Sequence, residues 1–169
     1  MFHSIELIPT AWIAAGAAQA YVEAFTPEAF LGMVERFRVT AFTMPPTLMI
    51  MVLTHPDLER YDLSSLRLYF FGASPMSVEW MRRVAETFSS VEFSQGYGLT
   101  ESSTVLTVFD AVEFRAAVES GASDGSVRSV GKPLRGVTMA VVDDEGRPLP
   151  RGAVGEFTAS GPNIMTGYH

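Results

Sequence analysis

The sequence predicts an α/β fold: a parallel sheet flanked by helices, followed by a β-rich segment that reads as a partial barrel. Three observations predict it. Short apolar runs alternate with amphipathic helical patterns over much of the chain, the pattern of strands joined by crossover helices. Leu66 to Phe71 is a continuous apolar run bounded by polar residues and Gly72, as expected of a strand covered on both faces. From Ser129 the texture turns β, with Val137 to Val142 and Val154 to Ala159 on either side of a turn at Asp143-Asp144-Glu145-Gly146.

The elements follow in order. The apolar run Ile5 to Val22 is broken by Glu6, Pro9 and Gln19 and has no basic residue before it. It therefore reads as a buried helix followed by a strand near Ala20 to Glu23, not as a leader or a membrane span. Thr26-Pro27-Glu28 starts a helix, with Phe30, Leu31, Val34 and Phe37 at core spacing. Val39 to Thr43 reads as a short buried strand. Pro45-Pro46 opens a second helix with Leu48, Met49, Val52 and Leu53 on its core face, the methionines as gap-filling core. Ser77 to Phe88 is amphipathic, with Val78, Met81, Val84, Ala85 and Phe88 on one side. Val91 to Ser94 and Thr104 to Phe109 have strand character. Ala111 to Gly125 is small, polar and weakly patterned, a loop excursion or short helix. The composition shift divides the chain at 125/126: residues 1–125 form the α/β part, 126–169 the β-rich part.

Composition removes several function classes. The chain has 169 residues, is 47% hydrophobic and carries a formal charge of −7. That balance argues for a globular protein and against nucleic-acid or anionic-membrane partners, which select basic patches. It has no cysteine, which excludes disulfides, thiolate metal sites and thiol catalysis, and fits a reducing, cytoplasmic setting.

Chemistry concentrates in Gln95-Gly96-Tyr97-Gly98-Leu99-Thr100-Glu101, after the Val91–Ser94 run. Gly96 and Gly98 can take positive φ or let a ligand lie against bare backbone. Between them the Tyr97 ring can offer a flat face to a planar group such as a purine. Thr100 adds a hydroxyl for a phosphate oxygen, and Glu101 a hard oxygen ligand of the kind Mg²⁺ uses beside nucleotide phosphates. The same residues also read as a tight turn and a polar helix start. Two lookalikes fail. Glu101 stands where a dinucleotide fingerprint needs its third glycine. Gly131-Lys132 is followed by Pro133 and lacks the glycine spacing of a phosphate-cradling loop.

This stretch resembles the signature of the adenylate-forming, AMP-binding superfamily, of the acyl-CoA synthetase and firefly luciferase type. Met1-Phe2-His3, Tyr61-Asp62-Leu63-Ser64-Ser65-Leu66-Arg67, Phe71-Gly72-Ala73-Ser74-Pro75-Met76, Ser129-Val130-Gly131-Lys132-Pro133 and Val154-Gly155-Glu156 through Gly161-Pro162-Asn163-Ile164-Met165-Thr166-Gly167-Tyr168 follow in that family's order. The resemblance implies ATP/AMP, Mg²⁺ and coenzyme A as cofactors or co-substrates, and a small-molecule carboxylic acid as the other substrate. By position, adenine would lie between the Gly72-Ala73-Ser74 backbone and Tyr97, with Gln95 near its amino group. Thr100 would approach the α-phosphate and Glu101 would hold Mg²⁺. His3, Phe71, Gly72 and Gly96 would line the acyl pocket, with His3 near the acyl carboxylate. Following the Leu66–Phe71 and Val91–Ser94 strands, both loops would open on the same edge of the sheet, outside the carboxyl ends of the strands.

The implied reaction has two halves: a carboxylate attacks the α-phosphate of ATP to give an acyl-adenylate, and the thiol of coenzyme A then captures it. The family's phosphate loop, ribose-binding Asp and catalytic Lys have no match in the 169 residues. The expectation is an internal piece of the large N-terminal domain, without ligase activity as an isolated chain, needing further enzyme segments or prone to self-association. The other expectation is a non-enzymatic truncated remnant that binds nucleotide weakly.

Overall fold

A computed structural model describes residues 8–120 and 126–169. A five-stranded sheet has the order β1 (Ala41–Thr43), β2 (Leu68–Phe71), β3 (Glu92–Tyr97), β4 (Thr107–Phe109), β5 (Lys132–Pro133). The first three strands are parallel, with Phe42 opposite Tyr69 and Phe71 opposite Gln95. β4 and β5 run antiparallel, so the sheet is mixed. Parallel strands need a crossover of a dozen or more residues, and the link from Tyr97 to Thr107 has no room for a crossover helix. The chain therefore doubles back.

The helices form where capping chemistry starts them. In α2 (Pro27–Phe37) the Thr26 hydroxyl accepts from the Ala29 amide at 3.1 Å, and Pro27 and Glu28 occupy the first turn. Phe30, Leu31 and Val34 are buried, but Phe37 is exposed. It is the last helical residue, and the chain turns away at Arg38 in the left-handed region. α3 (Pro46–Leu53) buries Met49, Val52 and Leu53; α4 (Val78–Thr87), capped by Ser77, buries Met81 and Val84. The weakly patterned stretch after Asp110 contains a helix, α5 (Ala111–Glu119), which buries Phe114 and Ala117. Its continuation, 121–125, lies outside the described residues.

The N-terminal expectation needs correction. α1 (Ile8–Ala14) forms, yet only Pro9 in it is buried, and residues 20–23 are not a strand. Extended backbone needs a hydrogen-bonding neighbour; among the described residues β1 pairs only with β2. β2 also departs from full cover. Tyr69 and Phe71 are buried on one face, while Leu68 and Phe70 are half-buried on the other.

The core is aromatic. Phe42 stacks on Tyr69 at 4.7 Å, Phe30 meets Phe42 edge-on at 5.2 Å, and Phe114 sits within 6 Å of Phe71, Phe93 and Phe109. The Tyr69 hydroxyl donates to the Met44 carbonyl at 3.1 Å, and burial pushes its pKa well up. Met44, Met49, Met76 and Met81 fill this core, as expected of a flexible apolar side chain.

Beyond Pro133 the β-rich segment is one antiparallel pair, β6 (Thr138–Val142) and β7 (Glu156–Ser160), with Thr138 opposite Ser160. Among the described residues these strands form a two-stranded sheet of their own, with one further bridge from Val142 to Pro148. Asp143 turns the chain by accepting from the amides of Glu145 and Arg147 and by pairing with the Arg147 guanidinium at 2.8 Å.

Candidate functional site

Two family-like segments are scaffolding. In Tyr61–Arg67, Asp62 pairs with Arg38 at 2.5 Å and accepts from the Ser64 amide, and the Ser65 hydroxyl donates to the Val39 carbonyl. The segment ties the end of α2 to the start of β2. In Ser129–Pro133, Gly131 has φ +84°, and a Cβ there would lie 2.1 Å from the Val108 carbonyl carbon. Lys132 pairs with Glu113. That glycine lets β5 close on β4.

The signature residues lie partly on a strand. Gln95, Gly96 and Tyr97 are the last residues of β3, not a turn after it. Phe71 is opposite Gln95, so Gly72 comes beside Gly96: a Cβ on Gly72 would lie 2.6 Å from the Gly96 carbonyl oxygen. The Gly72-Ala73-Ser74 loop and the signature residues are thus brought together at the carboxyl ends of two parallel strands.

The glycines serve close approach within the protein. Neither Gly96 nor Gly98 has positive φ. A Cβ on Gly96 would meet the Phe70 ring at 2.7 Å, and one on Gly98 would meet the Thr104 carbonyl oxygen at 1.9 Å. Left-handed backbone appears instead at Ala73 (φ 69°), Ser103 (φ 50°) and Thr104 (φ 93°). The last is β-branched, and such a φ carries strain.

Phe71 is placed differently from its expected acyl-pocket role. Its ring is 1% exposed and packs 5.4 Å from Tyr69 and 5.8 Å from Phe114. Side chains alternate along a strand, so Phe70, not Phe71, stands over Gly96. Gln95 is buried, and its Oε1 accepts no hydrogen bond among the described residues. Tyr97 is half-buried, with its ring 6.3 Å from that of Phe157 on β7. His3 lies outside the described residues.

Thr100 is exposed at the start of a 3-10 turn, Thr100–Ser102, and Glu101 is half-buried. Glu101's own backbone amide, and then the Tyr168 hydroxyl at 2.9 Å, hold its carboxyl below the usual glutamate range. Composition and spacing did not reveal three neighbours. Buried Ser102 accepts from the Leu99 amide and donates to the Leu99 carbonyl. Asn163 Nδ2 donates to the carbonyls of Ser102 (3.0 Å) and Val105 (3.2 Å). Tyr168 reaches Glu101. A serine three residues after Leu99, the residue that caps the turn, is a capping signal; the other two contacts span some sixty residues and leave no local mark.

No cluster of three or more metal-ligating side chains occurs among the described residues. Glu101 supplies one hard carboxylate, whose Oε1 accepts from the Tyr168 hydroxyl. That donor set does not make a protein cage, but it fits Mg²⁺ carried by nucleotide phosphates, which takes one or two carboxylates. A cavity of about 220 Å³ lies elsewhere, between α4, α5 and the start of β3, lined by Val91, Phe93, Phe114, Arg115 and Glu119 among others.

The profile of the AMP-binding enzyme family matches residues 1–169. The 4-coumarate–CoA ligase 2 of Oryza sativa subsp. japonica is 36% identical over 171 residues, covering 99% of this chain and 29% of that protein. The medium/long-chain-fatty-acid–CoA ligase FadD8 of Mycobacterium tuberculosis is 29% identical over 153 residues, covering 90% and 25%. Among solved structures, the amide bond synthetase McbA from Marinactinospora thermotolerans superposes with a TM-score of 0.76 at 34% identity, over 87% of this chain and 28% of its own. The luciferase-like enzyme of the mealworm Zophobas morio gives 0.80 at 25% identity, over 93% and 36%. The chain spans about three-tenths of the length of the ligases it matches.

Proposed function

We propose, from the premise that this chain belongs to the AMP-binding enzyme family, that it supplies the nucleotide-gripping part of an AMP-forming acid–thiol ligase. The juncture of Gly72 with Gly96 carries the reading. It places two loops side by side at the carboxyl ends of adjacent parallel strands, where open α/β sheets bind ligands.

In this reading adenine lies against the Gly72-Ala73-Ser74 backbone and the Tyr97 ring. Its amino group donates to Gln95 Oε1, a buried acceptor without a donor among the described residues. Thr100 donates to the α-phosphate. Glu101 would hold Mg²⁺ brought in on the nucleotide, and the ion would offset the phosphate charge. The acid's carboxylate oxygen attacks the α-phosphorus, a P–O bond forms, and pyrophosphate leaves with the broken bond's electrons. The thiolate of coenzyme A then attacks the acyl carbon and AMP departs. The protein's part is positioning and electrostatic stabilisation. Phe70, over Gly96, and His3 flank the acyl group. The division into 1–125 and 126–169 belongs to this reading, although the sheet reaches across it at Lys132–Pro133.

Titration of AMP into the chain and into Tyr97→Ala tests the assignment. Base–aromatic stacking predicts about ten-fold weaker binding by the variant; equal affinity would overturn it. The isolated chain is expected to bind nucleotide without turnover. ATP–pyrophosphate exchange well above that of Glu101→Ala, across fatty and aryl acids, would contradict this.

A further inference from the structure

We infer that the closing segment Gly161–Tyr168 braces the signature turn and that the Tyr168 hydroxyl is a positioning group for the Glu101 carboxylate. This rests on the proposed reading of Glu101 as the carboxylate that meets metal–nucleotide.

The turn from Gly98 to Leu106 is not self-sufficient. It contains two residues in the left-handed region, Ser103 and Thr104. Its internal backbone bonds run from Ser102 and Thr104 to the Leu99 carbonyl and from Ser103 to the Thr100 carbonyl, leaving the carbonyls of Glu101, Ser102 and Val105 directed at the closing segment. That segment satisfies all three. The Met165 amide donates to the Glu101 carbonyl at 2.9 Å, and Asn163 Nδ2 bridges the other two. The orientation of the Asn163 amide is forced, because turning it over would set Oδ1 against two acceptors.

Tyr168 completes the brace. Its hydroxyl donates to Glu101 Oε1 at 2.9 Å, which restrains the rotation of the carboxylate that would meet a hard cation. Partners that orient a ligating carboxylate commonly control metal affinity. Tyr168 is mostly exposed, so removal of its hydroxyl leaves the fold intact.

The test measures the metal increment: the ratio of ATP dissociation constants for the 169-residue chain in chelator and in Mg²⁺. Tyr168→Phe is expected to shrink that increment about ten-fold, the low end for an orienting partner because this contact is exposed. Its metal-free AMP affinity stays at the parent value. Asn163→Ala is the second variant. It is expected to speed amide exchange across Leu99–Leu106 while exchange in β1 and β2 is unchanged. A full metal increment in Tyr168→Phe overturns the positioning role. Unaltered exchange in Asn163→Ala overturns the brace. If the parent itself binds AMP but gains nothing from Mg²⁺, the assignment of Glu101 has failed and takes the positioning role with it.

Discussion

The five-stranded sheet and the β6–β7 ribbon are both hydrogen-bonded ladders, but they are held in different ways. Tyr69, Phe71 and Phe93 of the sheet are buried among Phe42, Phe109 and Phe114. The ribbon buries only Val142 within its strands; Phe157 is 56% exposed and Val154, before β7, is 98% exposed. A ladder with little apolar cover depends on its turn and backbone bonds, and an isolated two-stranded hairpin is marginal in water. The sheet is held by burial, whereas the ribbon is held by local geometry and by the contact of Phe157 with the Tyr97 ring.

The sharpest way to break this contrast is Tyr69→Ala. It removes a fully buried ring and the donor to Met44, so a loss of about 3–5 kcal/mol is expected in denaturant unfolding. A loss under about 1 kcal/mol would mean the aromatic cluster is not what holds the sheet. Next is Gly98→Ala, whose methyl would be forced against the Thr104 carbonyl. A cost of about 1–3 kcal/mol is expected, with AMP binding weakened by displacement of the turn; unaltered binding would show that the turn can shift freely. Phe157→Ala should change global stability by no more than about 0.5 kcal/mol, as a surface substitution does. A larger effect would promote the ribbon to part of the core, through the Tyr97 ring it faces.

The smallest effect concerns acid. The Arg147 backbone amide, and then its guanidinium, hold Asp143 below the ordinary aspartate value of 3.8. A depressed carboxyl contributes stability that is present above its unfolded pKa and lost as pH falls through the folded one. The ribbon should therefore lose amide protection as pH drops below 3.8, and Asp143→Asn should remove that acid step. Persistence of the step in the variant would assign it to another carboxyl.

The same division explains what could be read from the sequence. Apolar runs and caps located β1 to β3 and α2 to α4, because burial and capping are local in sequence. The direction of β4 was not legible in its own residues; it follows from the short Gly98–Leu106 link. Residues 20–23 look extended yet form no strand, since pairing depends on a neighbour and not on propensity. At the site, the sequence drew together Gly72 and the Gln95–Glu101 stretch, but misjudged why glycine is there. It also set Phe71 where alternation puts Phe70. The strained Thr104 gave no warning, because a β-branched residue is the last expected at positive φ.

The reach of Asn163 and Tyr168 has a consequence for the order of folding. Their partners lie 61 and 67 residues away in the chain. Closing loops of that length is entropically costly and slow relative to pairing β1 to β2 or capping a helix. The carboxylate turn therefore matures last, after the sheet on which it stands. A chain emerging from the ribosome would present a formed sheet with an unfinished signature until Tyr168 is free to fold back.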